Sequence, residues 1–541
     1  MALHTLERSR SEGLFFDGED LPGAWLRERA QLRLPPLRGL QAIRLEGELL
    51  PCASEQSVGV RARVGTAHAA LFLQSPGPWQ FVLRLPQGPN VAETITLELL
   101  GVTFTNALAW LGRVTGIARL QPYRRQSGNR RLRITRIATE DGITLYDFSG
   151  GAARLDGAFV RNHLALGLNV AGFLTAHLGI GESGRCMVRA ADAAGIAVTP
   201  IDLRLPCKNP RADRSLEARL RPDPDQAVTV VHIDPPASRD LEHHHGKSFR
   251  RGRYQIGYWA WELPEFPDAW LSSFAFFDEI WCPSEFARRA IAAKSPVPVL
   301  TMPHAIDFPR PTAPAREIRH RFGLPPDAFL FLVLYDLNSY SARKNPAAAL
   351  TAFRRSGLAA RGARLVIKVH STEGNAVDLE RLKASIADLP AAHLITGALS
   401  RTEIYELEAA CDCYVSLHRA EGFGLAVAES MYLGKPVITT DWSATAEFAD
   451  PTTALPVPAR EVVVSEDHGP YRRGQRWAEP DLDAAAQCMR RVAEDPGLCR
   501  QIGDAARLRI EERFAPGVIG QLYRRRLETL ALQELIPWTL R

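Results

Sequence analysis

The chain has 541 residues, with 66 lysines and arginines against 61 aspartates and glutamates, a formal charge of +5 and 46% hydrophobic residues. At about 150 residues per domain, this length implies three or four domains with ample cores. A charge this mild, clustered only at Arg124-Arg125, Arg130 to Arg136 and Arg524 to Arg526, does not call for a nucleic-acid partner, and the apolar run Phe329 to Tyr335 is far short of the roughly 20 residues a membrane span needs.

Residues 1–20 carry charges of both signs and lack the apolar core of a signal peptide, so they read as a flexible terminus of a cytoplasmic chain. The eight cysteines are scattered, and Cys411 with Cys413 has no second Cys or His pair at metal-ligand spacing. Neither a metal site nor a disulfide is expected.

From 21 to 148, apolar residues alternate at Val58, Val60, Ala62 and Val64, at Trp79, Phe81, Leu83 and Leu85, at Ile95, Leu97 and Leu99, and at Leu132 and Ile134. Period-two patterns separated by Ser75-Pro76-Gly77-Pro78, Pro86-Gln87-Gly88-Pro89 and Asp141-Gly142 predict an antiparallel β-sandwich. Trp79 shares a strand face with Phe81 and reads as core. The domain's role stays open between packing or partner contact and carbohydrate binding. The glycine-rich stretch within 149–160 predicts a linker.

Over 161–308 strands alternate with helices, as in parallel sheets. Leu166 to Gly172 predicts a strand, Gly179-Ile180-Gly181-Glu182-Ser183-Gly184-Arg185 opens a helix running to Ala194, and Ala197 to Leu203 predicts the next strand. Gly179, Gly181 and Gly184 spell a dinucleotide fingerprint with Asp202 near the ribose-acid position, but Phe173 to Leu178 separate the first glycine from its strand. The same loop could instead bring helix-start amides to a diphosphate, making Gly179, Gly181 and Glu182 donor-binding candidates, or could be a structural turn. His243-His244-His245 reads as exposed loop. Tyr254 to Pro267 joins a strand to a loop rich in aromatics and acids, where Trp259 and Glu262 either face a sugar or, for the tryptophan, fill the core. Glu279 to Cys282 and Val297 to Met302 predict strands, and Ser284 a helix cap.

A proline-rich connection, Pro309 to Pro314, opens the next domain, 309–514. Strands are predicted at Phe329 to Tyr335, Leu365 to Val369, His393 to Thr396 and Asp412 to Leu417, with a Ser400–Glu403 capping box before a helix to Ala410. Asn345 is predicted to cap a helix beginning at Pro346. Arg343 and Lys344, just before that helix, oppose its dipole unless an anion such as a diphosphate lies nearby. After the Asp412 strand, Glu421 and Glu429 flank a glycine turn that starts a helix ending at Gly434. Glu429 lies roughly 12 Å along the axis from Glu421, so the two carboxylates suit separate parts of one ligand. Backbone N–H groups at Gly422, Phe423, Gly424 and Leu425 suit sugar or phosphate oxygens. Trp477 to Asp481 precedes an amphipathic helix, and Pro516 to Leu532 predicts a terminal one.

Paired glutamates eight positions apart, Gly-Phe-Gly-Leu after the first, and Gly434-Lys435-Pro436-Val437-Ile438 after the second resemble the signature of the family-four retaining glycosyltransferases. The resemblance covers Leu166 to Leu530 and implies an α/β GT-B fold, two Rossmann-like domains facing a cleft, preceded by the β-sandwich. It implies that residues 515–541 pack back on the N-terminal Rossmann-like domain. It further implies transfer of a hexose, of mannose or glucose type, from a nucleotide-sugar donor to a glycan or lipid-linked acceptor, with retention, no metal and no cofactor. In that scheme Glu421, Gly422, Phe423, Gly424 and Leu425 contact the donor sugar, Glu429 holds the ribose and Lys344 the diphosphate. Where many relatives place an arginine this chain has Asn338-Ser339, which implies either that Arg343 substitutes for it or that the phosphate grip is weaker. The Tyr254–Pro267 string resembles a bacterial polysaccharide-synthesising branch, which implies an acceptor-facing loop with Trp259 and Glu262, work in surface polysaccharide or lipopolysaccharide assembly, and optional peripheral contact with the inner membrane face. Pro303 to Asp307 resembles the family's domain-crossing segment. Two alternatives stay open: an NAD-dependent Rossmann enzyme and a catalytically silent glycan-binding protein.

Overall fold

The computed structural model describes residues 11–15, 24–33, 41–50, 58–85, 94–100, 132–140, 142, 144–148, 154–155, 164–533, 535–536 and 539–540. The chain forms two compact units, one of residues 1–166 with 528–541 and one of residues 167–527.

The first unit is antiparallel. Its strands are β1 (Ser11–Phe15), β2 (Ala24–Arg33), β3 (Ala42–Leu49), β4 (Val58–Val64), β5 (Ala67–Leu73), β6 (Gly77–Arg84), β7 (Thr94–Leu100), β8 (Leu132–Thr139), β9 (Thr144–Asp147), β10 (Arg154–Leu155) and β11 (Leu164–Ala165). Period-two burial builds the core: on β4, Val60, Ala62 and Val64 are buried while Arg61 and Arg63 are exposed. Trp79 is buried and stacks on Phe81, as a core position requires. Pairing runs β10-β9-β8-β2-β7-β4-β5, with β1 beside β2 and β3 bridging β6 and β8. Strands β1 to β10 thus share one branched hydrogen-bonded network where a two-sheet sandwich was expected. β1 lies inside the stretch expected to be a flexible terminus, and β10 inside the expected linker, where Arg154 pairs with Asp147 and Leu155 with Tyr146. The Pro86–Pro89 turn and Arg124-Arg125 fall outside the described residues.

The second unit holds two parallel sheets of six strands. The first comprises β12 (Gly167–Gly172), β13 (Ala197–Asp202), β14 (Val228–His232), β15 (Tyr254–Tyr258), β16 (Glu279–Cys282) and β17 (Val299–Thr301), in the order β13-β12-β14-β15-β16-β17. The second comprises β18 (Leu330–Asp336), β19 (Arg364–His370), β20 (Ala392–Ile395), β21 (Cys413–Ser416), β22 (Val437–Thr440) and β23 (Leu455–Val457), in the order β20-β19-β18-β21-β22-β23. Every residue of β14, β16 and β22 is buried, because helices cover both faces of such sheets. This is the expected pair of Rossmann-like lobes. An antiparallel hairpin, β24 (Ala459–Val463) and β25 (Arg476–Pro480), belongs to neither sheet. In the first unit β26 (Thr539–Leu540) pairs with β11.

Local signals set several helix ends. The Ser284 hydroxyl accepts from the Ala287 amide, the Ser400–Glu403 capping box is complete, and Asp481 caps Leu482–Glu494. Asn345 differs from expectation: it precedes Pro346 but caps nothing with its side chain, and instead adopts left-handed backbone, φ 54°, which asparagine tolerates. His243 to His245 end a short helix, Leu241–His245, in place of the expected loop. The helix Pro516–Leu532 lies close against Gly179–Ala193, where a Cβ on Gly520 would collide with the Ala190 carbonyl. Tyr523 stacks on Trp281 at 5.4 Å, and Arg526 pairs with buried Glu279. Among the described residues no helix is long and apolar enough to cross a membrane.

Candidate active site

A cavity of about 820 Å³ opens between the lobes of the second unit. The carboxyl ends of β18 and β21 from one sheet and of β14 and β15 from the other run into it, the crevice in which open parallel sheets bind ligands.

At one end, β21 delivers the Glu421 turn. Gly424 sits at φ 94°, with Thr445 so close that a side chain would collide, and it starts the helix Leu425–Tyr432. The Ser284 hydroxyl donates to the Gly422 carbonyl at 2.7 Å, and the Glu421 amide donates to the Ser443 hydroxyl at 3.0 Å. The Glu421 carboxylate is ion-paired with Lys344 and lies 3.2 Å from the Arg343 guanidinium. Arg343 also donates to the Ala420 carbonyl at 2.8 Å and faces Glu262 at 3.7 Å. Burial alone would raise the Glu421 carboxyl, but Lys344 and Arg343 outweigh it and hold it at about 2. Burial pulls the Lys344 ammonium down, with Glu421 pulling it back. Gly422, Phe423, Gly424 and Leu425 all line the cavity beside this cluster.

At the other end, Glu429 is ion-paired with Arg401. Arg401 donates to the Tyr405 hydroxyl at 2.8 Å, lies over its ring at 4.6 Å, and faces Glu182 at 3.9 Å. Glu182 is also held by Arg185 at 2.8 Å and Arg189 at 2.7 Å. Burial would raise Glu182, yet its arginines, Arg401 foremost, carry it well below the carboxylate range. For Glu429 burial prevails over the pull of Arg401, and its carboxyl is raised. Gly179 and Glu182 lie on the cavity wall, whereas Gly181 packs beneath it, a Cβ there reaching the Phe173 carbonyl at 2.5 Å. Asp202 accepts from the Thr175 amide at 3.0 Å, the Thr175 hydroxyl at 2.9 Å and Arg211 at 2.7 Å, so it fixes a loop and is not free for a ribose.

The aromatic loop divides. Glu262 lines the cavity, but Trp259 is 0% exposed, enclosed by Phe266 at 5.8 Å, Phe274 at 5.0 Å and Phe277 at 5.5 Å. Trp259 is therefore core, the outcome that its apolar bulk beside a buried strand favours, and cannot face an acceptor.

Several lining residues were not anticipated from the sequence. Asp234, after β14, opens to the cavity yet is enclosed by its walls; that enclosure, then the charge of Glu262, pushes its carboxyl up to about 6. Asn209 donates to Asp336 and to Ser371, both at 3.1 Å, joining the lobes through polar groups. Tyr471, from the loop between β24 and β25, also lines the cavity. Only the acid-after-strand pattern at Asp234 carried any signal in the sequence; the rest depend on which segments meet across the cleft.

Solved structures similar to this chain include Alr3699/HepE from Anabaena in complex with UDP and glucose, at 14% identity over 68% of this chain and 100% of that one, TM-score 0.49. Sucrose-phosphate synthase from Thermosynechococcus elongatus has 14% identity over 67% and 100%, TM-score 0.49. A glycosyltransferase from Rickettsia africae has 14% identity over 68% and 99%, TM-score 0.49. No curated protein sequence matches the chain. The family model described as glycosyl transferases group 1 matches residues 315–509, the lobe that carries Lys344, Glu421 and Glu429, and this match places that lobe among the group 1 glycosyltransferases and the protein in the glycosyltransferase class of enzymes.

Proposed function

We propose that this protein is a retaining, metal-independent GT-B hexosyltransferase of family-four type. It moves a mannose- or glucose-type sugar from a nucleotide-sugar to a glycan or lipid-linked acceptor in surface polysaccharide or lipopolysaccharide assembly, on the cytoplasmic side of the membrane. The observation that carries this reading is the Lys344–Glu421–Arg343 cluster at the glycine turn, with Glu429 buried at the far end of the same cavity.

Lys344 now neutralises Glu421. When a donor binds, the diphosphate takes over the ammonium, and Glu421, still beside Arg343, turns its oxygens to the sugar hydroxyls. The amides of the turn at Gly422, Phe423 and Gly424, and that of Leu425 at the start of the helix, receive donor oxygens. Glu429 takes the ribose hydroxyls once Arg401 releases it. Gly179 and the helix it starts face the diphosphate from the other lobe, with Glu182 as the ion-pair anchor behind them. Glu262 and Asp234 stand on the acceptor side. Transfer proceeds on one face of the sugar: the bond to the diphosphate breaks, the acceptor oxygen bonds to the same carbon, and its proton passes to the leaving phosphate. No protein nucleophile is required.

The deciding experiment measures binding and hydrolysis of GDP-, UDP- and ADP-sugars by the purified protein, with NADH as control, for the wild type, Glu421→Ala and Lys344→Ala. One sugar nucleotide should bind selectively, Lys344→Ala should weaken it about tenfold to a hundredfold, and Glu421→Ala should abolish turnover. Binding of NADH alone would overturn the proposal. The loop-fixing bonds of Asp202 count against that outcome. Binding of glycan without turnover of any donor would favour a silent glycan-binding protein.

A further inference from the structure

The hairpin β24–β25 grows from the second lobe but ends inside the core of the first. Arg419 pairs with Glu479 at 2.6 Å at its base, and the Ala478 amide donates to the Arg419 carbonyl at 3.0 Å. Its loop is closed on itself: the Val464 amide donates to Gln475 at 2.8 Å, His468 and Tyr471 exchange backbone bonds at 2.8 and 3.1 Å, and the Arg473 amide donates to Asp467 at 2.8 Å. Val464, Tyr471 and Trp477 are buried in one apolar cluster with Trp259, Trp261, Phe266 and Phe274 of the first lobe.

At the tip, Tyr471 is 3% exposed and stacks on Trp261 at 5.7 Å. Its hydroxyl donates to Glu262 at 3.1 Å, and the Arg343 guanidinium lies 5.7 Å from its ring centre. Glu262 in turn faces Arg343, and Arg343 faces Glu421. An unbroken series therefore runs from the hairpin tip to the carboxylate at the glycine turn. At the opposite end of the cleft the lobes meet through polar groups, Asn209 with Asp336 at 3.1 Å and Glu182 with Arg401 at 3.9 Å, the latter beyond hydrogen-bond distance.

We propose that the hairpin is a strap fastening the two lobes at the Glu421 end of the cleft, and that Tyr471 is a positioning residue which, through Glu262 and Arg343, fixes the Glu421 carboxylate against the transferred sugar. This rests on the glycosyltransferase reading for the role of Glu421, whereas the fastening does not. The cleft then opens at its polar end, pivoting on the strap, and a nucleotide enters beside Arg401.

The full-length wild type is compared with Tyr471→Phe and Tyr471→Ala. Calorimetry reads the affinity for UDP, GDP and ADP, hydrolysis of the matching sugar nucleotides reads kcat and KM, and small-angle scattering reads the radius of gyration. Tyr471→Phe keeps the ring and loses only the hydroxyl: nucleoside diphosphate affinity and KM should stay within about twofold of wild type while kcat falls about tenfold. Tyr471→Ala should lower kcat further and enlarge the radius of gyration. A Tyr471→Phe kcat within about twofold of wild type would overturn the positioning role. Identical scattering from Tyr471→Ala and wild type would overturn the strap. If the wild type binds none of the three nucleotides, the glycosyltransferase reading fails, and scattering still decides the strap.

Discussion

Glu421 and Glu429 are the same side chain, eight residues apart and both buried, yet their surroundings push them in opposite directions. Glu421 faces two cations, Lys344 and Arg343, and is held at about 2. Glu429 faces Arg401, shares its pocket with the buried carboxyls of Glu182 and Glu408, and is raised. Burial penalises both charges; Lys344 and Arg343 overcome it at Glu421, whereas at Glu429 the pull of Arg401 is opposed by the Glu182 carboxylate and burial prevails. The end of the cleft assigned to the sugar thus carries a fixed negative charge, and the end assigned to the ribose carries a carboxyl whose charge hangs on one arginine.

The largest expected effect comes from neutralising the fixed charge. Glu421→Gln preserves shape and removes the partner of two cations, so transfer should fall about a thousandfold in kcat. Nucleoside diphosphate binding should persist, because Lys344 is released toward the phosphates. Steady-state hydrolysis and calorimetry on one preparation check both. A variant with near-normal kcat would erase the contrast between the two ends.

Arg401→Met tests the other end. Glu429 loses its main cation, while Glu182 keeps Arg185 and Arg189. Breaking a buried pair costs several kcal/mol, and Arg401 is partly exposed, so a loss of about 2 kcal/mol is expected. Thermal unfolding would show it as a lowered Tm, and donor KM should rise about tenfold with a smaller change in kcat. Equal losses in kcat from Arg401→Met and Glu421→Gln would mean that the two ends do not divide the work.

What the sequence revealed follows from distance along the chain. The Ser400–Glu403 box, the Ser284 cap and the strand-turn-helix around Glu421 are each written within a dozen residues, and the structure has them all. Trp259 was ambiguous because an aromatic after a buried strand can turn either way, and Phe266, Phe274 and Phe277, which close over it, come from later in the chain. Asn345 obeyed the sequence preference for a helix start but spends no side-chain bond there. Asn338 accepts from Asn375 at 2.9 Å within its own lobe and donates to Asn209 at 3.4 Å across the cleft, and the second bond forms only when the lobes meet. Arg401, although it lies inside the Ser400–Glu403 box, and Tyr471 were missed because the partners that give them a role are distant in the chain: Glu429 and Glu182 for the first, Trp261 and Glu262 for the second.

The smallest effect separates the two carboxylates by pH. Glu421 has a folded value near 2 against an ordinary 4.5, so it binds protons less readily when folded; its stabilisation is complete above about pH 4.5 and is lost as pH falls toward 2. Glu429 is raised in the folded state, so its contribution has the opposite sign: present below its ordinary value and lost as pH rises through the folded one. Glu408 sharpens this. It is buried near Glu429, neither of its oxygens has a hydrogen-bond partner among the described residues, and burial, with Glu429 adding to it, pushes its carboxyl well up. A carboxyl already protonated loses little when replaced by an amide of the same shape. Glu408→Gln should therefore leave Tm at pH 5 within a degree or two of wild type, about 0.5 kcal/mol or less, and should flatten the fall of Tm on moving to pH 8. A large loss at pH 5 would mean that Glu408 is ionised and paired, and that the ribose end is as strongly charged as the sugar end.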